Sequence, residues 1–194
     1  MESVVDRLLD GLAPRADARR NVERLVAAAR TAVDEVGTAV TAHEIARRAG
    51  VGVGTFYRRV PSREALLEAV LAGAIDEMTE LARVARAADE PWPAFSAFAA
   101  DYVRLRATSC GLNEALGGAG GLALSGRIDE FRKEFRALVR RLQVAGVLRQ
   151  GLTYRDVAFA LAGVVPQTRT LGMTAGQAQW RTTLRIVLDG IRAS

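Results

Sequence analysis

Residues 41–67 read TAHEIARRAGVGVGTFYRRVPSREALL, and this run decides the fold. Its pattern predicts two short helices joined by a tight turn, then a longer helix opening at Ser62. Thr41 is placed to cap the first helix, and Glu44 three residues on completes a capping-box pattern. Ile45, Ala46 and Ala49 supply the apolar side. Gly50 follows where a turn between helices calls for a left-handed residue. Residues 53–58 form the second helix. Ala46 leaves room for it to approach, Gly50 makes the corner, and Phe56 fills the shared core. This is the spacing of a helix-turn-helix.

From Arg47 to Arg63 there are five arginines and no acid. Such a field suits a polyanion, because phosphate contacts supply most of the affinity for DNA. Thr55, Tyr57 and Arg58 are the polar groups of the second helix. Gly52 and Gly54 open its N-terminus, where backbone can come close to a partner and amides favour phosphate. The plainer reading is a glycine-rich bend between core helices, with the arginines solvated.

Residues 19–71 resemble the DNA-binding domain of the tetracycline-repressor (TetR) family of bacterial transcription regulators. The matching pieces are Ile45-Ala46, Ala49-Gly50-Val51, Gly54-Thr55-Phe56-Tyr57 and the run from Ser62 to Leu67. Three positions depart from the family pattern. Gly52 stands where a capping Ser is common, which weakens the cap. Val60 stands where Phe is usual, and Arg63 replaces a frequent Lys. The resemblance implies a DNA surface of Thr41, His43, Gly52, Val53, Gly54, Thr55, Tyr57, Arg58, Arg59 and Arg63. It also implies that Arg15, Arg19 and Arg20, in an extension over 1–18, are candidates for the minor groove. A frayed, solvated terminus is the other reading of that extension.

The 194 residues carry a net charge of +5 and are 49% hydrophobic, so a sizeable core is within reach. Of the 27 basic residues, all but Lys133 are arginine, so their clustering and not their number carries information. The single cysteine, Cys110, excludes an internal disulfide and any cysteine-rich metal site. That agrees with a reducing cytoplasm. No signal-peptide pattern opens the chain, and no stretch approaches the ~20 apolar residues of a membrane span.

Outward from the motif, helical periodicity predicts an all-α protein. Val22, Leu25, Val26, Ala29, Val33 and Val36 mark a helix over 19–36, stopped by Gly37. The helix from Ser62 continues for about six turns to Ala85. Residues 89–93, DEPWP, break the chain before a helix over 94–108. Glycines 117, 118, 120 and 121 make 111–126 a mobile loop, with room for a short helix at 112–116. Helices follow over 127–145, from a Thr153 cap with Pro166 kinking or splitting it, and from a Thr174 cap to the end. Arg132, Lys133, Arg136, Arg140 and Arg141 form one basic helix face, read as solvated. The expected divisions are 1–18, 19–72 and 73–194, the last for effector binding and dimerisation.

Residues 146–192 resemble the C-terminal part of one TetR subgroup. The match rests on Ala145-Gly146-Val147-Leu148-Arg149, Asp156-Val157, Trp180 and the run from Leu188 to Arg192. The resemblance implies a twofold dimer built on the last two helices, here through Phe159, Gly163, Trp180, Leu184 and Leu188. Paired subunits place two recognition helices about one DNA turn apart, ~34–36 Å, on a near-palindromic operator. It further implies an effector pocket lined by Trp92, Phe95, Phe98, Tyr102, Cys110, Phe131, Phe135 and Phe159, each of which also reads as plain core. Few charges lie on those stripes, so the effector is expected to be apolar or weakly polar.

The expected function is a dimeric repressor released from its DNA operator by a small molecule. The alternatives are a DNA-binding regulator without ligand control, and an enzyme. Catalysis finds little support. His43, the sole histidine, lies in the reading motif, where it either contacts DNA or faces solvent. Cys110 has no second histidine to activate it and is expected to be a buried small hydrophobe. No catalytic residue, metal ligand or cofactor site is expected, and no membrane partner.

Overall fold

The computed structural model describes residues 16–118, 121–164, 169–176 and 178–193. Among them run nine α-helices: α1 (Ala16–Val36), α2 (Ala42–Arg48), α3 (Val53–Arg59), α4 (Arg63–Ala87), α5 (Pro91–Thr108), α6 (Cys110–Leu116), α7 (Ser125–Val144), α8 (Tyr154–Ala162) and α9 (Gln179–Ile191). The chain divides into two compact units. The first takes in residues 1–75 and 108–128, the second 76–107 and 129–194. Residues 108–128, expected in one continuous C-terminal domain, therefore cluster with the first unit.

In the first unit α1 packs against α2, α3 and α6, and a 3-10 turn, Gly37–Ala39, follows α1. Val22, Leu25, Ala29 and Val33 are buried along α1, as the periodicity requires. The corner after α2 is a Schellman closure. The Val51 amide donates to the Ala46 carbonyl at 3.0 Å, the Gly50 amide to Arg47 at 3.1 Å, and Gly50 has φ +65°. Ser62 caps α4, its Oγ accepting from the Ala65 amide at 3.0 Å.

Three expectations need correction. The prolines at 91 and 93 do not keep the helix waiting until residue 94; both lie in the first turn of α5. Pro91 is the first helical residue, where no N–H is needed. The short helix with room at 112–116 is present as α6, but it starts two residues earlier, at Cys110, capped by Ser109, whose Oγ accepts from the Leu112 amide at 3.2 Å. Gly111 belongs inside it for a packing reason: a Cβ there would stand 2.3 Å from Val33 Cγ1. Glycine lets α6 press against α1. Past it, the Ala123 amide donates to Glu68 Oε1 at 2.8 Å and Leu124 is buried, which ties that end of the loop to α4. Thr174 does not cap the last helix. It lies in a two-stranded hairpin, Arg169–Thr170 with Met173–Thr174, turned by Leu171 and Gly172 at φ +48° and +77°. Positive φ at both turn residues suits a two-residue hairpin. Helix α9 starts five residues later, with Ala178 as its N-cap. The expected Pro166 break lies outside the described residues, and α8 ends before it at a Gly163 cap.

In the second unit a continuous aromatic core joins α5 to α7. Phe98 meets Phe135 at 5.9 Å between ring centroids, and Tyr102 meets Phe131 at 5.8 Å. Phe95 packs on Phe98, and Trp92 on Phe95. The Arg192 guanidinium lies 5.3 Å from the centre of the Trp92 ring. Thr153 and Asp156 form a reciprocal capping box at the start of α8. The end of α9 is stitched to residues 147–149: the Arg149 amide donates to Ile191 O at 2.8 Å and the Ala193 amide to Val147 O at 2.9 Å.

Candidate nucleic-acid interface

Helix α3 has two faces: of its seven residues only Phe56 is buried. Phe56 is fully buried against α1 and α2, while Tyr57, Arg58 and Arg59 beside it are exposed. Tyr57 is 59% exposed, its ring edge-on to Phe56 at 5.1 Å. Arg58 Nη2 donates to Thr55 Oγ1 at 3.0 Å one turn back, an exposed bond that a phosphate oxygen or base edge can replace. Val53 and Thr55 are half-buried. Gly52 caps the helix by backbone alone, with no side-chain acceptor. A Cβ at Gly52 or Gly54 would meet open space, so packing within the chain does not call for glycine at either.

Helix α2 presents Thr41 and His43 to solvent. Thr41 Oγ1 accepts from the Glu44 amide at 3.2 Å, which is half of the expected capping box. The reciprocal half is replaced. The Glu44 carboxylate turns instead to Arg47, at 2.7 and 2.8 Å, and to Arg48 Nε at 2.7 Å. These bonds, Arg47 first and Arg48 second, hold its pKa down to about 2. Arg48 also donates to Glu35 Oε2 of α1 at 2.6 Å.

The run of five arginines is therefore less cationic in space than in sequence. Two of them, Arg47 and Arg48, share Glu44. A third, Arg63, donates from Nη1 to the carbonyl oxygens of Thr38 and Val40, at 2.9 and 2.8 Å, and from Nε to Glu64 at 3.0 Å. Arg63 braces the turn before α2. Arg58 and Arg59 are left as the exposed cations of α3. Arg19 and Arg20 belong to α1, where they pair along the helix with Glu23 and Asp17. Arg15 lies outside the described residues.

A second carboxylate shapes this end of the unit. Glu114 of α6 accepts at Oε2 from both the amide and the hydroxyl of Thr38, at 2.7 and 2.6 Å. Its pKa is lowered by those two bonds, the hydroxyl's first. Gly37 beneath it has φ +79°, and a Cβ there would stand 2.3 Å from Glu114 Oε1. Nothing in local sequence announces this contact, since its partners are 76 residues apart. The one available signal is the positive-φ glycine itself.

The residues expected around an effector separate. Phe95, Phe98, Tyr102, Phe131 and Phe135 are buried together in the second unit, and Trp92 is half-buried at their edge. Cys110 is not with them. It is exposed, not buried as expected, and belongs to the first unit, with its Sγ 3.7 Å from Glu35 O. Phe159 is 78% exposed and so is not part of that core. Of the residues expected at a dimer interface, Gly163 is exposed, Trp180 and Leu188 are half-buried, and Leu184 is 4% exposed inside its own unit. Ile186, not singled out in the sequence, is 67% exposed on α9. Among the described residues no three His, Cys, Asp or Glu side chains stand close enough to hold a metal ion. No described helix is long and apolar enough to cross a membrane.

Comparison with known proteins adds the family. The family model for bacterial regulatory proteins of the tetR family matches residues 25–70. The model for the C-terminal domain of SbtR-like transcriptional regulators matches residues 90–193. The chain belongs to the TetR family. It is a DNA-binding transcriptional regulator. The TetR transcription regulatory protein of Mycobacterium vanbaalenii is 32% identical, over 92% of this chain and 99% of its own, with a TM-score of 0.61. The TetR regulator SCO0520 of Streptomyces coelicolor is 28% identical, over 89% and 98%, at 0.64. FadR of Bacillus subtilis, solved with stearoyl-CoA, shares the TetR fold at 18% identity and a TM-score of 0.57, over 87% and 98%. No curated protein matches the chain by sequence.

Proposed function

We propose that this TetR regulator is a repressor that binds a near-palindromic operator as a homodimer and leaves it when a small molecule binds. The observation that carries the reading is α3. It turns Tyr57, Arg58 and Arg59 outward from a fully buried Phe56, and glycines that internal packing does not require flank its start. Tyr57 and Arg58 contact base edges, while Arg59, Thr41 and His43 contact the flanking backbone. Arg63 positions the motif through Nη1, on the Thr38 and Val40 carbonyls, and through Nε, on Glu64.

Dimerisation through α8 and α9 is supported by Phe159 and Ile186, two large apolar side chains on the surface of the protomer. The effector is apolar or weakly polar and binds against the aromatic core of α5 and α7. Ligand bound there favours one conformation over another, and that difference in affinity is what lowers DNA binding. Helix α4 belongs to both units and is the element through which the change passes.

The test is fluorescence anisotropy with the purified full chain and duplexes from the region upstream of its own gene. Saturable binding that outcompetes random duplex, with a steep salt dependence, supports the reading. Equal affinity for all duplexes removes the operator.

A further inference from the structure

The turn that launches the reading head is gripped by two charged side chains from distant parts of the chain. From α6, the Glu114 carboxylate takes the Thr38 amide and hydroxyl. From the start of α4, Arg63 takes the carbonyls of Thr38 and Val40. Val40 directly precedes Thr41, the cap of α2. In this short 3-10 turn the Thr38 amide and the Thr38 and Val40 carbonyls find partners in the anion and the cation. The fit is close. Gly37 has a left-handed backbone that suits glycine, and the carboxylate fills the space a Cβ would need. At the other end of α6, Gly111 lets the helix press on Val33.

Helix α6 falls inside the segment matched by the C-terminal family model, yet it clusters with the first unit. We propose that Glu114 is a positioning residue for DNA recognition. By holding Gly37 and Thr38, it fixes the direction in which α2, and with it α3, leaves α1. The strength of operator binding then depends on a carboxylate that never touches DNA. This inference rests on α3 being the reading helix.

The experiment uses the full chain with Glu114→Ala, Glu114→Gln, Thr38→Ala and the Thr38→Ala/Glu114→Ala pair. Operator affinity, thermal midpoint and amide exchange are measured for each. Leu142→Ala, a fully buried residue of the second unit outside the aromatic cluster, serves as a control for lost stability alone. Glu114→Ala is expected to weaken operator binding roughly tenfold, the scale of an energetic coupling between sites. Glu114→Gln falls between, because its amide oxygen still accepts from the Thr38 amide. The pair is no weaker than Glu114→Ala, since both changes break one contact. Leu142→Ala lowers the midpoint and leaves operator affinity within about twofold, as expected of a residue that shares no partner with the turn. Exchange at residue 38 and along α2 quickens in Glu114→Ala with no DNA present.

If Glu114→Ala binds operator as wild type does, or loses no more than Leu142→Ala, the proposal is overturned. If wild type binds no duplex selectively, the reading-helix assignment fails instead. In that event, unchanged exchange along α2 in Glu114→Ala removes the grip on the turn as well.

Discussion

Glu44 and Arg48 meet at 2.7 Å on the outer edge of α2, and the same carboxylate holds Arg47 through two further bonds. One acid thus answers for two cations of the reading motif. Its folded pKa of about 2 lies below the ordinary carboxyl value of 4.5. A depressed carboxylate contributes stability that is present above the ordinary value and lost as pH falls through the folded one. The window is therefore from pH 4.5 down to about 2. Glu44→Gln is expected to lose less stability than wild type across it, as followed by helical circular dichroism during acid titration. Raising the salt should narrow the gap between the two curves, because the group is near the surface.

Tyr57→Ala with Arg58→Ala removes two outward groups of α3. The expected result is a loss of operator affinity of about 1–3 kcal/mol for each side chain that reads a base edge. The thermal midpoint should hardly move, since neither side chain is buried. A gel-shift series beside a melting curve checks both. Unchanged binding would move the reading surface away from α3.

Gly111→Ala puts a methyl group 2.3 Å from Val33 Cγ1. Overpacking of this kind costs about 1–3 kcal/mol. Adding Val33→Ala removes the opposing methyl and should return part of the loss. Chemical denaturation of the two single variants and the pair reads the coupling directly, and simple additivity would mean that α6 does not press on α1 as described.

Phe159→Arg with Ile186→Arg charges the exposed apolar positions of α8 and α9. Light scattering should show the mass fall from two chains to one at micromolar concentration, with helix content kept. Operator affinity should fall too, because two linked heads gain from effective concentration and a single head does not. Leu184→Arg is a poor substitute, since Leu184 is buried within the protomer and its loss would damage the fold first.

Where the sequence could be read, the signals were local. Thr41, Gly50, Phe56 and Ser62 each act within a few residues, through a cap, a corner, a core ring and a second cap. Their spacing alone places α2, α3 and the start of α4. The misreadings came from partners outside the window. A run of five arginines without an acid looked uniformly cationic, yet Glu35, Glu44 and Glu64 stand just beyond it and reach in. The short helix with room at 112–116 was read as starting after Gly111 because glycine is costly in a helix, but at Gly111 the neighbouring Val33 makes any larger residue costlier, and the helix takes it in. Glu114 was passed over because its ligand, Thr38, is separated from it by most of the first unit and a long helical detour. Thr174 looked like a cap because threonine before a helix usually is one; here the positive-φ pair Leu171 and Gly172 claims it for a hairpin.

The seam at residues 147–149 and 191–193 bears on how the protein can be handled. Each strand of it supplies one main-chain donor and one acceptor to the other. Trimming the chain at residue 190 would leave the Arg149 amide and the Val147 carbonyl without those bonds, and would take Arg192 off Trp92. Purification handles and fluorescent fusions attached directly after Ile191 would compete with the same seam. A spacer placed beyond Ala193 leaves it closed, and a reporter built that way reads the intact regulator.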